Sequence, residues 1–181
     1  MKSILDFILA IFLLLALLPF LFISLLLAAL STRSTGVFTQ IRIGQHGNPF
    51  TIYKLQTMKD GKVTSIGKIL RKTKIDELPQ LINILKGDMS FVGPRPDVPG
   101  YYDVLKDEQR KVLVLKPGLT SLAAIKYRNE EQLLAQQIEP LLYNDTVIFP
   151  DKVNMNLDYL KKRSVGYDLK IIGLTIKSLF N

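Results

Sequence analysis

From Ile4 to Ala29 the chain reads ILDFILAIFLLLALLPFLFISLLLAA, a stretch with a single charge, Asp6, near its start. About 20 consecutive apolar residues suffice to cross a bilayer as a helix, and this run is long enough. A cleaved signal peptide fits less well. The apolar part exceeds a typical h-region, and the following LAALSTRS offers only a weak small-residue cleavage pattern. Pro19 interrupts the run, because a proline removes one backbone donor and clashes with the carbonyl four residues back. Two shapes follow: a kinked span, or a segment that bends at Leu18-Pro19 and returns to the leaflet it entered, with Ser24 available to satisfy a freed backbone group. Taken alone, the segment favours the kinked span as the simpler shape. Arg33, Arg42, Lys54, Lys59 and Lys62 follow it, which predicts that the rest of the chain is cytoplasmic in either case.

The 181 residues hold one moderate domain plus this extra element, dividing at 1–31 and 32–181, and two independent domains are not expected. With no cysteine, disulfides, zinc–thiolate sites and thiol nucleophiles are excluded, so a metal would need oxygen ligands or the sole histidine, His46. A net charge of +8 favours an anionic partner: phospholipid head groups, nucleotide phosphates or nucleic acid.

After a polar linker at Ser31–Gly36, alternation at Val37, Thr39, Ile41 and Ile43 marks a strand, GQHGNP a turn and FTIYKL a second strand, with a further turn at Lys59–Lys62. Ile66, Ile69 and Leu70 make one short helical face. Leu78, Leu81, Ile82 and Leu85 make a second at i, i+3, i+4, i+7, stopped by Gly87. Pro79 is acceptable only in a first helical turn, which places Asp76 and Glu77 at a helix N-terminus. NEEQLLAQQIEPLLYND is expected to be helical with a break at Pro140, and DKVNMNLDYLKKR to form another helix. The tail sets Lys170, Gly173 and Lys177 opposite Leu169, Ile172, Ile176, Leu179 and Phe180; it either packs on the core or lies in a membrane interface.

Adjacent acids at a helix start are commonly solvated capping residues. Asp76-Glu77 has unusual company: Arg71, Lys72 and Lys74 before it and Arg95 after it, with mostly apolar residues between. Cations around a carboxylate pair suit a phosphorylated substrate, one carboxylate attacking or binding metal while guanidinium groups neutralise phosphoryl oxygens. The surrounding cations are expected to keep Asp76 ionised at neutral pH. In VGPRP, two prolines stiffen the presentation of Arg95, although a surface turn is the plainer reading. Lys54 reads as the wet face of a strand, His46 as a loop residue without a metal role, and KPGLT as a generic turn. No glycine-rich phosphate loop, serine elbow or zinc spacing is present.

RIGQHGNPFTIYKLQTM, LRKTKIDELPQLINILKGDMSFVGPRP, KPGLTSLA and DYLKKRSVGYDLKII together resemble, in order and over nearly the whole length, a bacterial sugar transferase of the monotopic polyprenyl-phosphate phosphoglycosyl transferase family. The resemblance implies transfer of a phospho-sugar from a UDP-sugar to undecaprenyl (polyprenyl) phosphate, releasing UMP, at the cytoplasmic face of a bacterial inner membrane, with no nucleic acid involved and the start of glycoconjugate or polysaccharide assembly as its purpose. It implies a covalent phosphosugar intermediate on Asp76, Mg2+ held by Glu77, and substrate-binding roles for Lys54 and Arg95, to which the cation cluster adds Arg71. It also implies an α/β fold: a small sheet with peripheral and membrane-interface helices against inner-membrane phospholipid, plus one N-terminal re-entrant membrane helix in place of the kinked span.

Several positions depart from the family pattern. Leu18 stands where a serine commonly precedes the helix-breaking proline, Gln56 replaces a cation in KLQTM, and Ser121 replaces a glycine in PGLTS. An acidic position near the C-terminus aligns with Asn156 directly and with Asp158 after a shift, so neither is assigned. Two rivals remain open: a non-enzymatic basic membrane adaptor, which needs no acid pair, and a metal-dependent lipid-diphosphate phosphohydrolase, which releases free phosphate. The sugar, the polyprenol length and the oligomeric state are not encoded legibly.

Overall fold

A computed structural model describes residues 2–179 of the chain. Met1 and Phe180, the latter expected on the apolar side of the tail helix, lie outside the described residues. The described residues mix helices with three two-stranded sheets rather than one small sheet, and the chain forms two compact units. One comprises the residues up to Arg42 together with Pro49–Ser90; the other comprises Ile43–Asn48 together with Phe91 onward.

In the first unit, helix α1 (Lys2–Thr32) runs with Pro19 inside it. It is the one described helix long and apolar enough to cross a membrane. Only Ala10, Ser24, Ala28 and Thr32 on it are buried, whereas Phe12, Leu15, Leu18 and Leu30 are exposed. Small side chains let the rest of the unit approach closely, and Ala28 joins Leu55 and Leu70 in a core flanked by Leu25, Ile66 and Ile75. Gly36, at φ 78°, turns the chain back so tightly that a Cβ there would sit 2.7 Å from the Leu25 carbonyl oxygen. Both ends of α1 make polar contacts in this unit: Ser90 Oγ donates to Asp6 at 2.8 Å, and Thr64 Oγ1 donates to Ser31 Oγ at 3.3 Å.

Strands β1 (Val37–Ile43) and β2 (Pro49–Leu55) form the expected pair, with a 3-10 turn at Gln45–Gly47 between them. The short hairpin β3 (Met58–Lys59) and β4 (Lys62–Val63) closes over Asp60-Gly61, both at positive φ as a tight hairpin turn requires. Helix α2 (Ser65–Lys72) is capped by the Thr64 hydroxyl, which accepts from the Gly67 amide at 2.9 Å.

Ile75–Gln80 then winds as a 3-10 turn, followed by α3 (Leu81–Lys86), which ends at Gly87 with φ 83°. Asp76 and Glu77 therefore sit in a 3-10 turn and not in the first turn of an α-helix. Pro79 supplies the reason: in an α-helix its ring would clash with the carbonyl of Ile75. The predicted apolar face is corrected as well, since on α3 Ile82 is exposed and Ile84 is buried.

β5 (Ser90–Val92) pairs with β6 (Gly118–Thr120), and apart from Ser90 these strands belong to the second unit. Between them in sequence lie α4 (Asp107–Arg110) and a 3-10 turn at Lys111–Val114. Ser121 caps α5 (Leu122–Lys126) by accepting from the Ala124 amide at 3.0 Å. That gives the departure from glycine a local role. The predicted break before Pro140 separates α6 (Glu130–Ala135) from α7 (Pro140–Tyr143), where the proline opens the helix. A π-helical turn leads into α8 (Phe149–Lys162), which buries Val153, Asn156 and Tyr159. The last element, α9 (Val165–Leu179), buries Asp168 and Ile171 while Leu169, Ile176 and Leu179 stay exposed. Three of the residues expected on the apolar side of the tail are thus exposed, as are the basic Lys170 and Lys177.

Candidate active site

Four of the five expected site residues belong to the first unit. Asp76 and Glu77 are each 7% exposed. Lys54, on β2, reaches Glu77 with its Nζ 3.3 Å from Oε1, and both side chains are largely removed from water. Arg71 comes from the last turn of α2, where its Nε donates to Thr57 Oγ1 at 2.9 Å. The approach of α2 that permits this depends on Gly67, since a Cβ there would lie 2.1 Å from the Thr57 carbonyl oxygen. Lys74, at φ 58°, is the left-handed joint between α2 and the 3-10 turn. A non-glycine residue held there carries a local strain of about 1 kcal/mol or more.

Asp76 Oδ1 is buried and has no hydrogen-bond partner. Burial pushes the Asp76 carboxyl above its usual range, and the neighbouring Glu77 charge pushes it further, while Lys54, Lys74 and Arg71 pull it down. The net direction is upward. The cations expected beside Asp76 are present and favour its ionised form, while desolvation acts against them and is the larger effect. Among the described residues no group of three or more His, Asp and Glu forms a ready metal cage. What the chain offers a metal is a pair of adjacent carboxylates with an unsatisfied oxygen, the donor chemistry of a hard divalent cation that takes its remaining ligands from phosphate and water.

Arg95 belongs to the second unit and is exposed there between Pro94 and Pro96. Its loop is laid onto the KPGLT segment. The Gly93 amide donates to the Thr120 carbonyl at 3.0 Å, and the Gly118 amide donates to the Pro94 carbonyl at 2.8 Å. The two glycines touch, for a Cβ on Gly118 would lie 2.1 Å from the Gly93 nitrogen. KPGLT, read from composition as a generic turn, is the bed of the arginine loop. Tyr159 supports the same region: its hydroxyl donates to Asp168 Oδ1 at 2.5 Å and lies 3.4 Å from the Val92 carbonyl oxygen. Asn156 is buried and donates to the Tyr102 hydroxyl at 3.3 Å, whereas the exposed Asp158 pairs with Lys161 at 3.6 Å. Gln56 turns to the Met58 carbonyl at 2.7 Å, a local bond.

One residue that sequence reasoning passed over is Asn83. It is wholly buried, and its side-chain amide bonds the β2 backbone on both sides of Ile52: Nδ2 donates to the Thr51 carbonyl at 2.7 Å, and Oδ1 accepts from the Tyr53 amide at 3.2 Å. The signal was a lone amide within LINIL, a polar residue in an otherwise apolar run.

The sequence pattern described as Bacterial sugar transferase matches residues 1–181. The "Uncharacterized sugar transferase EpsL" of Bacillus subtilis (strain 168) is 34% identical over 99% of this chain and 87% of its own length. The UDP-glucose:undecaprenyl-phosphate glucose-1-phosphate transferase of Caulobacter vibrioides is 34% identical over 98% of this chain and 69% of its own length. An Escherichia coli (strain K12) protein of the same name is 34% identical over 94% of this chain, which spans only 38% of that relative.

Proposed function

The chain belongs to the bacterial sugar transferase family, and from that premise we propose that it transfers a phospho-sugar from a UDP-sugar to undecaprenyl phosphate, with Asp76 as the nucleophile. The observation that carries this reading is the buried acid pair, in which Asp76 keeps a carboxylate oxygen without a hydrogen-bond partner amid the charges of Lys54, Lys74 and Arg71. A buried, unsatisfied carboxylate costs stability, and attack on phosphorus is a use that repays it.

In the first half-reaction an Asp76 oxygen attacks the β-phosphorus. The new P–O bond forms as the bridging bond to the α-phosphate breaks, and UMP leaves with the bridging oxygen. In the second, a phosphate oxygen of undecaprenyl phosphate attacks the same phosphorus and expels Asp76 as carboxylate, so one displacement becomes two. Lys54 and Arg71 would neutralise diphosphate oxygens, and Arg95 is proposed for the same work. Glu77 would hold Mg2+, whose chemistry when bound is to offset diphosphate charge.

The helix α1 is proposed to be re-entrant, with the catalytic residues on the cytoplasmic side of a bacterial inner membrane. A straight helix would set Asp6 and Ser31 about 38 Å apart, more than the hydrocarbon thickness of about 30 Å. Polar contacts from both residues to one folded unit favour a path in which both ends emerge on one side. The basic, apolar-faced α9 suits the interface of the same membrane.

The test is to incubate detergent-purified protein with Mg2+, undecaprenyl phosphate and a panel of UDP-sugars. UMP release that needs the lipid and is lost in Asp76→Asn is expected. Free phosphate without UMP would replace the reading with a phosphohydrolase, and a folded protein inert to every UDP-sugar would favour an adaptor.

A further inference from the structure

β2 belongs to a two-stranded sheet, so pairing with β1 satisfies one of its edges. Alternate residues of a strand direct their amide and carbonyl to the same edge, so Thr51 and Tyr53 present a carbonyl and an amide together. Both groups are taken by Asn83, whose carboxamide has the donor and acceptor of a peptide group and stands where a third strand would. Asn83 is itself anchored: its carbonyl accepts from the Asp88 amide at 3.0 Å and the Met89 amide at 3.3 Å, and its Nδ2 lies 3.4 Å from Asp88 Oδ2. The clamp joins the strand that carries Lys54, one residue beyond Tyr53, to the segment that carries Glu77, six residues before Asn83. We propose that Asn83 is a positioning residue, its amide fixing β2 against α3 so that the Lys54 ammonium is held on Glu77, beside Asp76.

The proposal rests on the phospho-sugar transfer reading, and it concerns this chain's own second support layer. Two bonds to one strand edge set both its register and its distance, whereas apolar packing by Leu81 and Ile84 would tolerate sliding. A displacement of about 1 Å in a positioned group is enough to cost roughly a hundredfold in rate. Removing the amide would also take from the Thr51 carbonyl and the Tyr53 amide the side-chain partner they have in the fold. Some loss of stability is therefore expected whatever the residue's part in turnover, and the test must separate the two effects.

A double-mutant cycle on UMP release does so, using Asn83→Ala, Lys54→Ala and the double variant, each with its melting temperature. Asn83→Ala should lower kcat tenfold or more and show the same division between kcat and KM as Lys54→Ala. In the Lys54→Ala background it should cost less than about twofold further in rate while still lowering the melting temperature by a similar amount. Asn83→Gln, which keeps the carboxamide donor and acceptor on a longer arm, should recover part of kcat and serves if the alanine variant does not fold. Equal fold-losses in both backgrounds, or a lowered melting temperature with unchanged kcat, would overturn the assignment and leave Asn83 a core residue. Wild-type protein that released no UMP would instead overturn the reading on which it rests.

Discussion

Asp76 is held in a state that folding alone would not choose. Its carboxyl is raised by burial and by Glu77, so the folded chain binds that proton more tightly than the unfolded chain does. The stabilising contribution of that proton is fully present below the unfolded carboxylate range and is lost as pH rises through the raised folded value. Asp76→Asn should therefore melt higher than wild type at pH 7 in metal-free buffer, and the gap should close toward pH 3 as wild type protonates; a lower melting temperature at pH 7 would contradict the burial argument. Since Lys54 pulls Asp76 down, Lys54→Ala should move the acid limb of the activity profile to higher pH. Arg95→Ala should lose on the order of a hundredfold in rate at saturating lipid, with Arg95→Lys restoring little, because a forked charge-assisted contact to a developing phosphoryl charge is worth several kcal/mol. Near-normal turnover in either variant would return the arginine loop to a structural turn. The acid pair and its cations were legible because charge is visible in sequence. Desolvation is not, so the upward pull of burial on Asp76 could not be read there, and neither could the part of Asn83, whose meaning depends on which strand edge it meets.

At the scale of elements, turns and caps were readable where residue chemistry dictates the backbone, as at Asp60-Gly61, Gly87 and Pro140. The apolar face after Asp76 was misread for a physical reason. The 3-10 turn ends at Gln80 and α3 starts afresh at Leu81, so an α-helical extrapolation from Leu78 ran across a break: it selected Ile82, whereas Leu81 and Ile84, three apart on α3, are buried. The contact between the arginine loop and the Lys116–Thr120 segment was equally hidden, since two glycines distant in sequence announce nothing about their approach. That contact yields a prediction. Gly118→Ala places a methyl against the Gly93 backbone, a clash with little room to relax, and should lower the melting temperature by about 5 °C or more together with activity. Gly166→Ala, which meets nothing within 4 Å, serves as the comparison, and equal melting temperatures for the two variants would refute the close approach.

For the whole molecule, the apolar segment was plain in sequence, while its path was not, because a proline permits both a kink and a return. Polar contacts at Asp6 and Ser31 to one unit predict that single cysteines at Ser3 and Ser34, introduced into the cysteine-free chain, are labelled from the same side of intact cells. Opposite-side labelling would establish a span. The central claim, that phospho-sugar passes through Asp76, is tested most directly by isotope exchange: labelled UMP is incubated with unlabelled UDP-sugar and purified protein in the absence of undecaprenyl phosphate. The account predicts label entering UDP-sugar with wild type and none with Asp76→Asn. Exchange that persists in the asparagine variant, or a wild type that releases UMP only when UDP-sugar and lipid are both present and never exchanges it, would contradict the account.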